Sequence, residues 1–273
     1  MDIKTEILNE LGVKTVENFN PKAEVEKRVN FLVKYLQTSG RKGFVLGISG
    51  GVDSTTAGRL VQLAVEKVRA GGGDATFTAV RLPYGIQMDE EDAQEAVNFI
   101  APDCVETINI KPSVDAAMEA YGELQNFSTK DVDFAKGNAK ARLRMTEQYL
   151  IAGLKMALVV GTDHSAEAVT GFYTLHGDGA ADILPLAKLN KRQVRAIAKE
   201  LGAPSRLHTK QATADLEDLN EHLLDEDALG VSYNAIDNYL EGKEVGANDA
   251  KVIEDRFNAT RFKRKMPTAY GEL

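Results

Sequence analysis

The pattern that most constrains the fold of this chain is a repeated alternation of short apolar segments with longer amphipathic ones. The apolar segments, such as Gly43–Ile48 and Ala75–Leu82, are rich in β-branched residues and are bounded by turn-forming residues, which predicts buried strands. The segments between them, such as Ser54–Ala70, carry apolar residues at helical spacing. Nearly continuous apolar strands that alternate with helices indicate a parallel sheet covered on both faces.

We therefore expect an α/β fold with a Rossmann-like, doubly wound parallel sheet of about five strands and helices on both faces. The other predicted strands are Val105–Ile110 and Ala157–Thr162, and the other predicted helices are Asp89–Ile100, Val114–Leu124, Val132–Met156 and Lys191–Leu201. Asn20 followed by Pro21 predicts a helix start. Without a low-complexity linker, we expect one domain over residues 1–273, with N-terminal helices in 1–40 and C-terminal helices in 230–260 packed on the core.

Composition excludes several classes of protein. The net charge is −8, whereas a nucleic-acid partner requires a basic face, so no nucleic acid is expected. No apolar run approaches the roughly 20 residues that span a bilayer, so no membrane is expected either. Cys104 is the single cysteine, which rules out a disulfide framework and favours a cytoplasmic location.

The segment "LGISGGVDST" (46–55) follows the first predicted strand and opens the next helix. Gly50 and Gly51 let backbone N–H groups approach an anion, and the helix N-terminus adds donors and a positive dipole end. Asp53 would repel a phosphate unless a divalent cation lies between them, so it is a candidate Mg²⁺ ligand. The lysine of a Walker A loop is absent. A plain glycine-rich turn with Asp53 as a helix cap is the alternative.

The stretch "SGGVDS" resembles the SGG-x-DS loop of the N-type ATP pyrophosphatases, which share an adenine nucleotide alpha hydrolase-like fold. Further stretches resemble the ammonia-dependent NAD synthetases within that group, in the order of that family. They are "RLPYGIQMDEEDA" (81–93), "KGNAKARLRM" (136–145), "VVGTDHSAEAVTGFYT" (159–174), "GDGAADILPLAKLNKRQVR" (177–195), "TADL" (213–216) and "YLEGKEV" (239–245).

The resemblance implies an ATP- and Mg²⁺-dependent amidation of deamido-NAD (nicotinate adenine dinucleotide) to NAD, with release of AMP and pyrophosphate. The carboxylate is activated as an NAD-adenylate, and ammonia then displaces AMP. The phosphate loop begins at residue 49, which leaves no room before it for the amidase domain of glutamine-dependent members. Free ammonia is therefore the expected nitrogen donor. The resemblance also implies a homodimer, with the long helix Val132–Met156 as its interface element.

Residue by residue, the resemblance implies four groups of site residues. The catalytic residues are Asp53, Asp178 and Lys191, and the Mg²⁺ ligands are Asp53 and Glu167. The ATP-binding residues are Gly47, Ile48, Ser49, Gly50, Gly51, Val52, Asp53, Ser54, Arg81, Gln87, Thr162, Lys191 and Thr213. The deamido-NAD-binding residues are Arg142, Leu175, Asp182, Phe262 and Lys263.

Each of these residues also has an ordinary structural interpretation. Glu167 can be a solvated carboxylate in the first turn of a helix, Thr162 a helix N-cap, and Asp178 a turn-forming residue. Two other positions depart from the family, which usually has lysine at Leu175 and histidine at Phe262. The histidines show no metal-ligand spacing, so we expect them at the surface or in loops, with His164 at most behind the site.

Two other functions remain open at the level of sequence. The first is a different ATP pyrophosphatase that amidates or thiolates another acceptor. A tRNA-modifying enzyme of this kind would show basic patches and extra cysteines. The second is a non-catalytic ATP-binding regulator on the same fold, which would lose Asp53, Glu167 or Lys191.

Overall fold

The computed structural model describes residues 2–85, 90–214, 216–219, 223–265, 267 and 269–271. The strands are β1 (Gly43–Gly47), β2 (Thr76–Arg81), β3 (Cys104–Thr107), β4 (Leu158–Val159), β5 (Thr213–Ala214) and β6 (Leu223–Leu224). The helices are α1 (Ile3–Leu11), α2 (Pro21–Ser39), α3 (Val52–Ala70), α4 (Glu90–Ile100), α5 (Lys111–Tyr121), α6 (Thr129–Lys155), α7 (Ser165–Thr170), α8 (Lys191–Glu200), α9 (Ser205–Thr209), α10 (Asp225–Leu229), α11 (Tyr233–Leu240), α12 (Ala247–Ala259) and α13 (Arg261–Arg264).

The main sheet is parallel and has the strand order β3-β2-β1-β4. Val160, just after β4, forms a parallel bridge with Ile183. The prediction of a doubly wound parallel sheet is therefore confirmed, with four strands and this bridge in place of a full fifth strand. β2 and β4 lie on opposite sides of β1. The connection that leaves β1 therefore runs toward β2, and the connection that leaves β4 runs in the opposite direction along the sheet, toward Ile183. In such sheets, ligands bind at this point, at the carboxyl ends of the strands.

Alternation along β1 explains why helices cover both faces of the sheet. Phe44 and Leu46 are buried in an apolar cluster with residues of α2, α3 and α8. Val45 points to the other face, where it packs with residues of α5 and α6. A third apolar cluster joins α1, α7, α11 and α12. Within the described part of the chain, no helix is both long and apolar enough to span a membrane.

The predicted helices exist, but several of their ends differ. Asn20 caps α2 through a hydrogen bond from Ala23 N, and Pro21 is its first residue, as predicted. The prediction for α5 was displaced by three residues, because Pro112 lies in its first turn and Gly122 ends it with φ of 74°. Similarly, α6 begins at Thr129, because Ser128 caps it.

The predicted strands are all longer than the observed ones. β1 lacks Ile48, β2 lacks Ala75 and Leu82, and β3 ends at Thr107. The predicted strand Ala157–Thr162 is reduced to β4 and the Val160 bridge. Most of these differences shorten the strands at their carboxyl ends, and only Ala75 and Ala157 are lost at amino ends.

Candidate active site

The phosphate loop, residues 49–54, connects β1 to α3 at the carboxyl edge of the sheet. Gly50 has φ of 87°, and a Cβ atom there would lie 2.7 Å from Ala93 N at the start of α4. The loop is closed by the contact of Ser49 Oγ with Ser54 Oγ at 3.1 Å. Gly51 is the N-cap of α3 and offers no side-chain cap. The N-terminal turn of α3 therefore faces the ligand edge without a competing cap, which suits an anion.

Asp53, in the first turn of α3, meets Lys191, the first residue of α8. Lys191 Nζ donates a hydrogen bond to Asp53 Oδ2 at 2.7 Å, and Lys191 is only 1% exposed. Although burial opposes ionisation, Lys191 and His164 hold the pKa of Asp53 below its usual range. Burial likewise opposes the lysine charge, but Asp53 and Glu167 raise the pKa of Lys191. The pair is therefore an ion pair, with a fixed positive charge beside the phosphate loop.

Glu167 on α7 approaches the same pair from β4's side of the switch point. Its neighbour His164 is the N-cap of α7, with Nε2 lying 3.4 Å from Asp53 Oδ1 and 3.6 Å from Glu167 Oε1. Burial raises the pKa of Glu167 to about 8, with the charge of Asp53 adding to the effect. His164 lies in the connection before α7, as one part of its prediction had it, but it is only 1% exposed, so the surface position was wrong.

The residues around Asp53 fit a divalent cation. Among the described residues, one metal-ligating group is found, in which atoms of Asp53, His164 and Glu167 lie within 4.8 Å of one another. Asp53 Oδ1 is buried and accepts no hydrogen bond from any described residue. A buried carboxylate oxygen without a donor can coordinate a cation. Mg²⁺ prefers oxygen ligands, so Asp53 and Glu167 are the ligands that suit it, with His164 between them.

Two further carboxylates extend this acidic centre. Burial and the charge of Asp178 raise the pKa of Asp163 to about 7. Asp178 Oδ1 accepts a hydrogen bond from Thr174 N at 2.9 Å, which is the turn-forming role, and the surrounding protein atoms nevertheless raise the pKa of Asp178. Asp163 was missed in the sequence, although "TDH" directly follows a buried strand at the ligand edge.

The remaining residues predicted to bind ATP lie around this cluster. Arg81, the last residue of β2, is buried and forms an ion pair with Glu90 at the start of α4. Thr162 is half-buried in the connection after β4 and is not the N-cap of α7, since His164 is. Thr213 lies in β5 opposite Leu224. Gln87 lies outside the described residues.

Asp225 and Tyr233 complete the cluster and were missed in the sequence. The Tyr233 ring lies 4.9 Å from Lys191 Nζ, and its hydroxyl donates to Asp225 Oδ2 at 2.9 Å. Both side chains are buried. They lie far from residue 53 along the chain, and no sequence motif connects them with it. The Tyr233 ring and the Asp225 carboxylate thus add to the surroundings of the Lys191 ammonium group.

Comparison with known proteins agrees with this geometry. The sequence profile of the family described as NAD synthase matches residues 24–267. The chain belongs to the NAD synthase family. It is 54% identical over 269 residues to the NH(3)-dependent NAD(+) synthetase of Bacillus subtilis, a match that covers 98% of this chain and 97% of the relative.

Solved structures of two synthetases resemble the chain closely. The NAD+ synthetase from Burkholderia pseudomallei has a TM-score of 0.83 and 46% identity, covering 97% of this chain and 96% of that one. The NMN synthetase from Francisella tularensis has a TM-score of 0.80 and 36% identity, covering 93% of this chain and all of that one. The adenine nucleotide alpha hydrolase-like α/β fold is thus that of the family.

The positions that the NAD synthase resemblance assigns to the dinucleotide form a second group. Arg142 on α6 donates through Nε to the Leu175 carbonyl at 3.2 Å. Lys263 on α13 donates through Nζ to the carbonyls of Gly171 and Tyr173, at 2.8 and 2.7 Å. Arg142, Leu175 and Lys263 therefore meet at the turn that carries Asp178.

Asp182 and Phe262 contribute differently to that second group. Asp182 accepts from Val159 N at 2.8 Å and from Tyr149 Oη at 3.3 Å, so its carboxylate fixes the end of β4. The Phe262 side chain is 58% exposed and extends from α13 into solvent. The structure thus brings Asp53, Glu167 and Lys191 into one cluster. Of the positions assigned to the dinucleotide, Arg142, Leu175 and Lys263 are linked by hydrogen bonds to the turn after α7.

Proposed function

We propose that this chain catalyses the final step of NAD biosynthesis, the ATP-dependent amidation of deamido-NAD by ammonia. The observation that carries the proposal is the cluster of the half-buried carboxylates Asp53 and Glu167 with the buried Lys191 beside a phosphate loop. This cluster occurs in a chain 54% identical to an NH(3)-dependent NAD(+) synthetase. A non-catalytic ATP-binding regulator has no need of a buried lysine and two carboxylates at the phosphates.

The chemistry requires activation, because a carboxylate has no adequate leaving group. The nicotinate carboxylate oxygen attacks the α-phosphorus of ATP, the bond to the bridging oxygen breaks, and pyrophosphate leaves with the electron pair. Ammonia then attacks the acyl carbon of the NAD-adenylate, and AMP leaves as the amide forms. No protein nucleophile is needed. The enzyme contributes positioning and charge stabilisation.

The ATP phosphates lie on the loop and the N-terminus of α3 in this proposal. Gly47, Ile48, Ser49, Gly50, Gly51, Val52, Asp53 and Ser54 form that surface, and Arg81, Gln87, Thr162 and Thr213 contact the rest of ATP. Lys191, held by Asp53 at 2.7 Å, stabilises the negative charge that develops on the leaving pyrophosphate.

Asp53 and Glu167 would hold Mg²⁺, and the ion supplies charge neutralisation between these carboxylates and the phosphates. Its binding requires Glu167 to be ionised, whereas burial raises the pKa of Glu167 to about 8 without the ion. Proton release from Glu167 is therefore linked to metal binding.

Asp178 takes the proton from ammonium before the attack in this proposal, because its raised pKa makes it a better base than an ordinary carboxylate. Arg142, Leu175, Asp182, Phe262 and Lys263 contact deamido-NAD. Leu175 and Phe262 supply apolar surface where the family usually has lysine and histidine. This difference weakens the electrostatic attraction for the second phosphate of the dinucleotide.

The proposal also includes a cytoplasmic homodimer built from one domain per chain. The large apolar side chains Leu150 and Leu154 on α6 are 56% and 79% exposed, which suits an interface along that helix. The free thiol of Cys104 suits a reducing compartment.

The test is a product assay with purified protein, ATP, Mg²⁺, ammonium and deamido-NAD, in which AMP, pyrophosphate and the amide are measured together. A parallel reaction offers nicotinate mononucleotide, the shorter acceptor suggested by the name of the Francisella tularensis relative. Asp53→Asn serves as the inactive control. Amide formation from the dinucleotide at the higher kcat/KM supports the proposal. Preference for the mononucleotide would replace the substrate, and AMP without amide would point to another acceptor.

A further inference from the structure

A cleft away from the phosphate loop has the charge and the walls of a second ligand site. It lies between the end of α1, the exposed side of α2 and the segment 184–189 that leads into α8, and its volume is about 380 Å³. This volume falls within the range of small-molecule sites. None of the residues assigned to ATP, Mg²⁺ or deamido-NAD lines it.

The cleft is strongly basic in a chain with a net charge of −8. Its lining includes Lys14, Lys27, Arg28 and Lys188, with Glu24 as the one acid among the lining residues. Lys14 and Lys27 lie 2.5 and 3.5 Å from Glu24 Oε1. A single carboxylate therefore serves several cations, and the cleft keeps an excess of positive charge that favours an anion.

Arg28 forms part of the cleft wall, where hydrogen bonds fix its guanidinium group. Its Nη1 donates to the Ala187 carbonyl at 3.0 Å and its Nη2 to Glu24 Oε2 at 3.1 Å. Its Nε is buried and has no hydrogen-bond partner among the described residues. An unpaired guanidinium donor beside the cleft is a position that an anionic oxygen or a water molecule can satisfy.

Lys188 has a backbone conformation that its side chain does not favour. Its φ is 64°, in the left-handed region, and its aliphatic stem lies against Gly12. A non-glycine residue in this region carries backbone strain, and such residues concentrate at ligand sites. No side-chain hydrogen bond or ion pair of Lys188 occurs within the described ranges. Its ammonium group is thus available to a ligand.

The rest of the lining is apolar and partly aromatic. Phe19 and Phe31 line the cleft together with Leu184 and Pro185, and Phe31 is 47% exposed. Lysines bind phosphate as point charges, and exposed aromatic rings stack on flat heterocycles. We propose that this cleft binds a purine nucleoside monophosphate, with the phosphate at Lys188 and Lys27 and the base against Phe31.

An occupant of the cleft would contact the segment that positions Lys191. Gln193 lines the cleft and donates through Nε2 to the Lys14 carbonyl at 2.7 Å. The same side chain accepts from Asn190 N at 3.3 Å as part of the capping box of α8. The cleft wall and the start of α8 are therefore one hydrogen-bonded unit.

The experiment uses the absence of tryptophan from the chain. Phe31→Trp introduces a single tryptophan at the cleft, and GMP is the probe because it is neither substrate nor product of the proposed reaction. We expect a saturable change in tryptophan emission with a Kd tighter than about 1 mM. Calorimetry of GMP with the unsubstituted protein checks that the tryptophan did not create the site.

Lys188→Ala in the Phe31→Trp background should weaken GMP binding about tenfold, the loss typical of one charge-assisted contact. Lys27→Ala should weaken it as well. Lys199→Ala, which removes the same charge from an exposed position on α8 outside the cleft, should leave it unchanged. Guanosine and inorganic phosphate are the matched half-ligands and should each bind more weakly than GMP.

Three results would overturn the proposal. One is the lack of a saturable signal with GMP. Another is equal binding of GMP and inorganic phosphate, which would reduce the cleft to a non-specific anion surface. The third is an equal loss of affinity in Lys199→Ala and Lys188→Ala. Because binding is measured without turnover, failure of this proposal is distinguishable from failure of the proposed activity.

Discussion

Lys191 Nζ lies 2.7 Å from Asp53 Oδ2, and this contact joins the first turns of α8 and α3 across 138 residues of sequence. A lysine at a helix N-terminus opposes the helix dipole. The structure offsets that cost, because Asp237 accepts hydrogen bonds from Lys191 N at 3.0 Å and from Arg192 N at 2.8 Å. Asp237 thus satisfies backbone donors in the first turn of α8 while Asp53 pairs with the Lys191 side chain.

Lys191→Met should abolish activity and destabilise the protein. It leaves the Asp53 carboxylate in the protein interior without its cation, which typically costs about 3–5 kcal/mol in the free energy of unfolding. AMP formation should fall by at least about a hundredfold, as expected for loss of a group that stabilises developing charge. Urea unfolding and an AMP assay measure the two effects.

The double variant Asp53→Asn/Lys191→Met separates these effects. It should recover part of the lost stability, because no unpaired charge remains, while staying inactive. Lys199→Ala is the matched control on the same helix. Full activity in Lys191→Met would remove the role of this lysine at the phosphates.

Gly50→Ala should disrupt the phosphate loop. The left-handed backbone at φ of 87° disfavours a side chain, and the added Cβ would lie 2.7 Å from Ala93 N. Gly72→Ala is a close control, since Gly72 has φ of 82° but no atom within 4 Å of the added Cβ. Both variants should lose about 1 kcal/mol or more of stability from backbone strain. Only Gly50→Ala should lose ATP binding in calorimetry, and an equal loss in Gly72→Ala would contradict the assignment of the loop.

Asp163 should make the stability of the metal-free protein depend on pH. Burial and the charge of Asp178 raise its pKa from the usual 3.8 to about 7 in the folded state. Between these pH values, the folded protein keeps a proton that the unfolded chain releases. The free energy of unfolding therefore falls as pH rises through this window, by up to about 1.4 kcal/mol per pH unit from this group.

Asp163→Asn removes that contribution, so urea unfolding in Mg²⁺-free buffer should show a flatter pH dependence between about pH 4 and pH 7. Asp74→Asn, at an exposed position, should leave the slope of the unsubstituted protein. An unchanged slope in Asp163→Asn would show that this carboxylate is ionised in the folded protein throughout the window.

Leu175→Lys should strengthen binding of deamido-NAD. It adds the charge that the family resemblance implies at this half-buried position, whose carbonyl accepts from Arg142. A partly exposed charge contributes up to about 1 kcal/mol, so KM should fall by roughly threefold to fivefold, while kcat changes little. His176→Lys adds the same charge at the exposed neighbouring position and should have a smaller effect. A higher KM in Leu175→Lys would indicate that the apolar side chain contacts the substrate favourably.

The sequence predicted those features of the fold that depend on residues close together along the chain. The periodicity of Ser54–Ala70 and the cap at Asn20 predicted α3 and α2 because helix formation is decided within a few residues. The strands were predicted too long, since the end of a strand depends on its partner, as for β4 beside β1. Local pattern contains no information on where a neighbouring strand stops pairing.

The residues of the candidate site were likewise predicted only in part. Asp53 and Glu167 follow buried strands directly, so the sequence placed them at one edge. His164 follows the same strand as Glu167, but its sequence context did not indicate that it would be buried in the cluster. Asp225 and Tyr233 reach the cluster only through the packing of α10 and α11, which the sequence did not predict. Lys136 and Lys140 on α6 pair with Asp218, which is far away in sequence, and Lys140 is buried.

The most direct test of the central claim follows oxygen in the reaction. Deamido-NAD labelled with oxygen-18 in its nicotinate carboxylate is converted with unlabelled ATP, Mg²⁺ and ammonium, and AMP is analysed by mass spectrometry. If the carboxylate attacks the α-phosphorus, one labelled oxygen leaves with AMP and the other stays in the amide of NAD. AMP without label would contradict an NAD-adenylate, and with it the account of the phosphate loop, Lys191 and Asp53 given above.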